Sequence, residues 1–252
     1  MRFTPQLRAF DWLMARPIAH RGLHTKNKGV IENTSSAFEA AIKGDYAIEC
    51  DVQLTADGEA IVFHDDDLDR LTEAKGPVKA LTTQALQKVK LKATSDRMQT
   101  LAELLEQVDG RATLVIELKS LWDGDDGLAK RALQVLESYG GPYCLMSFDP
   151  DVISSLRALS PQTVRGIVAD RTTDPYYNAL PLAKRYSMRT FAHLAQTQPH
   201  FVSYYWRELP FEPITEIRNA GHPVITWTLR SKEEASQALR YCDQITFEGY
   251  AP

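Results

Sequence analysis

Nine short apolar or β-branched runs punctuate this chain, and the stretches between them carry helical periodicity. The runs are Pro17 to His20, Ala47 to Leu54, Ala60 to His64, Thr113 to Leu118, Tyr143 to Phe148, Val164 to Val168, Phe201 to Tyr205, Val224 to Leu229 and Gln244 to Phe247. One pair breaks the alternation. Ala47 to Leu54 and Ala60 to His64 are separated by Thr55-Ala-Asp-Gly-Glu, and Asp-Gly between two apolar runs is a hairpin signal. The run Ala60 to His64 is therefore expected to return antiparallel, outside the main count. Eight strands alternating with helices then remain, which forces parallel pairing through right-handed crossovers. Eight parallel strands in a chain of 252 residues predict an α/β fold of the TIM (β/α)8 barrel class, with a short antiparallel hairpin and a small insertion, about residues 65–96, after the second strand. The open doubly wound sheet is the alternative, but its Gly-rich fingerprint is missing.

The helix starts are legible too. Asn33-Thr-Ser-Ser leads into Ala37-Phe-Glu-Ala-Ala-Ile, Thr100 has Glu103 at capping-box spacing, and Ser231 precedes Lys-Glu-Glu-Ala in the same manner. Within the insertion, Thr82 to Leu91 reads as one amphipathic piece in a polar surrounding. No Gly/Ser linker, repeat or charge block divides the chain, so residues 1–252 are expected to form a single domain.

Composition narrows the function class. With 29 Lys plus Arg against 33 Asp plus Glu, the net charge is -4, and nothing steers the chain toward nucleic acid. Cys50, Cys144 and Cys242 are odd in number and far apart, fitting neither a disulfide framework nor a zinc site, and are expected as buried thiols. Met1 to His20 carries Arg2, Arg8, Asp11 and Arg16 among its apolar residues, without the apolar run or cleavage site of a signal peptide. No stretch approaches the roughly 18 uncharged apolar residues of a membrane span. The expectation is a cytoplasmic protein without a stable membrane anchor.

In a barrel of this kind the reactive residues sit where strands end. Glu49 and Asp51 are two apart on one strand, so both carboxylates face one way while Cys50 faces the other. Two acids on the inner face repel each other and are costly to bury unless a cation lies between them. Glu117 repeats the pattern on the neighbouring strand. Three carboxylates make a hard oxygen site suited to one divalent cation, Mg²⁺ or Ca²⁺. An internal salt-bridge network with Arg21 and Lys119 is the competing explanation, and it leaves the histidines unexplained. His20 and His64 each finish a short apolar strand where the acids cluster, an arrangement suited to general acid–base work. Arg21 offers a planar donor fork for a phosphate and Lys119 a point charge. Together these residues describe phosphoryl transfer. The other histidines, His24, His193, His200 and His222, are expected to be surface or structural.

The motifs His20-Arg21-Gly22, Glu32-Asn33-Thr34, Glu49-Cys50-Asp51-Val52, Thr55-Ala56-Asp57-Gly58, Val62-Phe63-His64-Asp65, Glu117-Leu118-Lys119 and Trp227-Thr228 stand in a recognisable order and spacing. Over about Ile18 to Trp227 the chain resembles the glycerophosphodiester phosphodiesterase family. The resemblance implies a TIM barrel with a small insertion after the His-Asp strand, and metal-dependent hydrolysis of glycerophosphodiesters to glycerol 3-phosphate and an alcohol. It implies that Glu49, Asp51 and Glu117 bind one divalent cation, that His20 and His64 are the acid–base pair, and that Arg21 and Lys119 hold the phosphate. In the mechanism drawn for the family, the glycerol 2-hydroxyl attacks phosphorus and water then opens a cyclic phosphate. His20 is assigned as base and His64 as acid, although the two can be exchanged. Phe148 and Trp227 are expected to wall the pocket, and Asn33 either to bond a ligand carboxylate or to cap the following helix.

Two positions depart from the pattern. The last strand reads Thr246-Phe247-Glu248-Gly249 where relatives often have Thr-Asp-x-Pro, and Leu229-Arg230 stands in place of the commoner Val-Asn. Both bear on the choice of alcohol. Two further readings stand beside the small-molecule phosphodiesterase: a lysophospholipase D on the same barrel, for which Tyr204-Tyr205-Trp206 and Phe211 offer an apolar mouth, and a catalytically silent phosphodiester-binding barrel.

Overall fold

A computed structural model describes residues 10–25 and 29–252. Arg2 and Arg8 of the N-terminal reading lie outside the described residues. In chain order the elements are α1 (Asp11–Met14), β1 (Ile18–Ala19), α2 (Ser35–Lys43), β2 (Ala47–Leu54), β3 (Ala60–Val62), α3 (Thr83–Lys88), α4 (Leu101–Val108), β4 (Leu114–Leu118), α5 (Gly127–Leu136), β5 (Tyr143–Ser147), α6 (Pro150–Leu159), β6 (Arg165–Ala169), α7 (Leu182–Thr190), α8 (Leu194–Thr197), β7 (Phe201–Tyr205), α9 (Glu212–Asn219), β8 (Val224–Leu229), α10 (Lys232–Ala238) and β9 (Gln244–Phe247). Every apolar run named above contains a strand.

The described residues fall into two compact units. One takes residues 18–119 and 125–143. Here β1 pairs parallel with β2 and β2 parallel with β4, while β3 returns antiparallel on β2 with Val52 opposite Val62 and Leu54 opposite Ala60. This is the hairpin that Asp57-Gly58 dictates, with Gly58 at φ +79° supplying the turn. The second unit takes residues 10–17, 120–124 and 144–252, in which β5, β6, β7, β8 and β9 pair in parallel and in sequence order. Parallel strands buried on both faces read as continuous apolar runs, which is why these segments were visible as runs.

The helices lie where their caps place them. Thr100 accepts from the Glu103 amide and Glu103 reaches back to the Thr100 amide, a complete capping box. Behind it α4 buries Leu101, Leu104, Leu105 and Val108, the i, i+3, i+4, i+7 stripe of an amphipathic helix. Ser231 caps α10 by accepting from Glu234, but the Glu234 carboxylate turns to the Arg230 amide instead of completing the box. At α2 the cap residue is Thr34, which leaves Asn33 free for another task.

The insertion differs from its sequence reading in two respects. It is not a polar excursion alone, because Leu68, Val78, Leu86, Leu91 and Met98 bury themselves with Ile61 and Phe63 in a core of their own. Its helix α3 is shorter than Thr82 to Leu91, since Val89 takes an extended conformation that ends it.

Candidate active site

Strand β2 is buried from Ala47 to Gln53, yet one of its faces carries Glu49, Asp51 and Gln53. The register sets Asp51 opposite Glu117 on β4, so three carboxylates converge with their oxygens within 4.8 Å of one another. Glu49 and Asp51 are 2% and 1% exposed. Burial, together with the charges of Asp51 and Glu117, drives the Glu49 carboxyl well above its ordinary range, against the opposing Arg21. Burial acts the same way on Asp51, but His64, Arg21, Lys119 and the Asn33 amide outweigh it and hold Asp51 far down. Lys119, two residues beyond Glu117, donates to Glu117 at 3.0 Å and lies 3.8 Å from Asp51. Burial opposes its charge, yet those two acids raise its pKa.

The turn after β1 is folded around this cluster. His20 Nε2 lies 4.0 Å from Glu49 Oε2. Arg21 and Gly22 both take left-handed backbone, φ +54° and +78°, which aims the Arg21 amide at Glu49 Oε2 at 2.8 Å and the Gly22 amide at the Glu49 carbonyl at 3.2 Å. A Cβ on Gly22 would meet the Ala37 backbone at 2.8 Å, so only glycine fits. The Arg21 guanidinium reaches Glu32 at 2.6 Å, and its Nε stands 3.3 Å from Asp51 while remaining buried without a hydrogen bond. Of the two roles open to Asn33, it takes the first: at φ +57° its Nδ2 donates to Asp51 Oδ2 at 2.9 Å.

His64 follows β3, and its Nδ1 is 2.7 Å from Asp65 Oδ1. A carboxylate only accepts, so Nδ1 carries the proton in this contact and Nε2 is left for another partner. Four partners of this arrangement were given no role in the sequence reading. Gln53 donates to the carbonyls of Phe63 and Asp65 at 2.9 and 2.7 Å, fixing the backbone on either side of His64. Asp65 and Glu32, each known only as a motif letter, share Arg70 as their ion-pair partner. Period-two alternation from Asp51 could have exposed Gln53; nothing in the spacing of Arg70 marks it.

Phe148 and Trp227 lie in the second unit, the first just past the end of β5 and the second within β8, with ring centroids 5.4 Å apart, edge to face. Tyr205 packs on Trp227 at 5.1 Å. The apolar mouth expected from Tyr204, Tyr205, Trp206 and Phe211 is largely core instead. Tyr204 is fully buried, Trp206 is buried, and Phe211 stacks on Tyr204 at 5.8 Å. All three cysteines are buried thiols outside any disulfide, and His193 and His24 are buried.

The model of the glycerophosphoryl diester phosphodiesterase family matches residues 20–245. The chain belongs to that family. Among curated family members, the glycerophosphodiester phosphodiesterase of Caldanaerobacter subterraneus subsp. tengcongensis is 28% identical over 234 residues, covering 88% of this chain and 89% of the relative. Among solved structures, an Oleispira antarctica phosphodiesterase in complex with the product sn-glycerol-3-phosphate aligns with a TM-score of 0.78 at 22% identity, over 95% of each chain. The glycerophosphodiester phosphodiesterase of Thermotoga maritima gives 0.70 at 22% identity, over 91% of this chain and 92% of its own. These likenesses show the fold, an eight-stranded parallel TIM barrel with β3 as the extra antiparallel strand.

Proposed function

We propose that this chain hydrolyses small glycerophosphodiesters to sn-glycerol 3-phosphate and an alcohol, with His20 and His64 as the acid–base pair and a divalent cation on Glu49, Asp51 and Glu117. The observation that carries the reading is the buried carboxylate trio, oxygens within 4.8 Å, in one unit with both histidines and both phosphate-binding cations. The donor set fits a hard cation: three oxygen ligands, two of them almost wholly buried, with Glu49 driven to take up a proton when nothing else offsets Asp51 and Glu117. Bound there, Mg²⁺ or Ca²⁺ supplies positive charge toward the phosphate oxygens.

The remaining steps fall to the chain's own groups. Arg21 and Lys119 hold the phosphate. His20 takes the proton of the glycerol 2-hydroxyl as that oxygen attacks phosphorus, and His64 gives a proton from Nε2 to the departing alcohol. Asp65, 2.7 Å from Nδ1, fixes the orientation of the ring for that transfer. The two histidines then exchange roles as water opens the cyclic phosphate. Phe148 and Trp227 wall the glycerol or alcohol side. The unbroken family match from residue 20 to 245 supports reading the chain as one domain. A cytoplasmic address and a small-molecule partner belong to the same proposal; no helix among the described residues is long and apolar enough to cross a membrane.

A lysophospholipase D reading keeps one supporting observation. Tyr176 and, on α7, Leu182 and Tyr186, in the segment after β6, together with Leu121 after β4, are 57%, 78%, 60% and 45% exposed, large apolar side chains on segments that follow strand ends. A panel of glycerophosphocholine, glycerophosphoethanolamine, glycerophosphoinositol and lysophosphatidylcholine, each with Mg²⁺ and Ca²⁺, separates the two. Turnover of the first three with His20→Ala and Glu49→Ala both inactive is expected. Full activity in either variant, or in the wild type after exhaustive chelation, overturns the assignment.

A further inference from the structure

We infer that Arg70 is a positioning residue of the reaction, a clamp from the insertion that fixes at once the carboxylate behind His64 and the carboxylate behind Arg21. The inference rests on the roles just proposed for those two residues. Its geometry is a double fork. Arg70 Nε donates to Asp65 Oδ2 at 2.6 Å and Nη2 to Asp65 Oδ1 at 2.9 Å; Nη1 donates to Glu32 Oε2 at 2.9 Å and Nη2 to Glu32 Oε1 at 2.7 Å. Each carboxylate spends one further contact on the site. Asp65 Oδ1 is the atom 2.7 Å from His64 Nδ1, and Glu32 Oε1 is the atom 2.6 Å from Arg21 Nη1. One guanidinium therefore stands one carboxylate away from the proposed acid and one carboxylate away from the proposed phosphate ligand.

The insertion holds that guanidinium in place. Leu68 is fully buried on one side of Arg70 and Thr72 is 1% exposed on the other, while Lys92 Nζ donates to the carbonyls of Asp69 and Arg70. The backbone is tied again through Lys92 N to Leu71 O and Glu73 N to Lys90 O. A separate apolar core under a loop thus ends in one anchored arginine, which gives the insertion a purpose in the reaction. The Glu32 pair adds to stability, but with Arg70 47% exposed stability alone does not account for a double fork that ends on the partners of both His64 and Arg21.

The test exploits the two arms. Glycerophosphocholine expels a poor leaving group that needs a proton from His64, whereas the p-nitrophenyl ester of glycerol 3-phosphate expels one that does not. Steady-state rates are measured on both for the wild type, Arg70→Ala, Arg70→Lys, His64→Ala, Asp65→Asn and Arg70→Ala/Asp65→Asn, with thermal unfolding checked for each. Arg70→Ala is expected to lower kcat on glycerophosphocholine by about 10- to 100-fold, the usual range for groups that orient a reacting residue. On the aryl ester kcat should be largely restored, with a raised KM left over from the Arg21 arm. Arg70→Lys should not rescue, since an ammonium cannot form two forks, whereas added ethylguanidinium should partly rescue Arg70→Ala. The double variant should be no slower than its slower parent.

Equal losses on both substrates in Arg70→Ala, while His64→Ala shows the leaving-group dependence, would overturn the clamp. So would full activity of Arg70→Ala. If His64→Ala shows no such dependence, the acid role of His64 fails, and the clamp is then decided by the double variant: multiplied losses overturn it, a shared loss supports it.

Discussion

Asn33 is held at φ +57°, a conformation that a side chain other than Asn, Asp or Gly adopts at some cost, and it uses that geometry to donate to Asp51. Removing the amide leaves an acid 1% exposed without one of its partners. Asn33→Ala is therefore expected to weaken Mg²⁺ or Ca²⁺ binding about 10- to 100-fold, measured calorimetrically, with the fold retained. At this scale the sequence is informative where a side chain's own neighbours along the chain define its direction. Glu49 and Asp51 were readable from alternation alone. Arg70 was not, because its partners are 5 and 38 positions away and its charge looks like any solvated charge of a polar segment.

At the level of elements, the turn between β1 and α2 has the least room for change. Gly22→Ala combines φ +78° with a Cβ 2.8 Å from the Ala37 backbone, so strain and overpacking add to about 3 kcal/mol of lost stability. The Arg21 and Gly22 amides would leave Glu49 in the same movement, and denaturant unfolding together with kcat would record both losses. Thr100→Ala is milder. It removes one half of the α4 capping box, costs about 1 kcal/mol and should lower the melting temperature by about 2–4 °C without touching activity. Strands and caps of this kind were legible because each is a local pattern: runs buried on both faces, Asp-Gly between them, Thr three residues before Glu. The core of the insertion was not, since Leu68, Val78, Leu86 and Met98 are spread over thirty positions of polar sequence and gain meaning only when packed.

For the whole molecule, acid stability follows from a few buried groups. Burial lowers His193 and His200 to about 4, the latter helped by Arg165, so both are neutral when folded. The unfolded chain takes up those protons first, near pH 6.5. Stability therefore falls as pH drops from about 6.5 to about 4, by roughly 2 kcal/mol for each histidine after allowance for partial exposure. Glu32 acts next. Burial opposes its charge, but the hydrogen bonds and charges of Arg70 and Arg21 prevail and lower it to about 2, so its contribution is intact above its ordinary range near 4.5 and is lost on further acidification. Thermal melts between pH 7 and pH 3 should fall in two stages, and His193→Gln should flatten the first. A melting temperature constant between pH 7 and pH 5 would contradict this.

The residues assigned to chemistry all belong to the unit of residues 18–119 and 125–143, whereas Phe148 and Trp227, the proposed walls, belong to the other. On the roles proposed above, reactivity and preference would be written in separate stretches of sequence. A library confined to β8 and the segments after β5, β6 and β8 should then change which alcohol is accepted without loss of turnover on the best substrate.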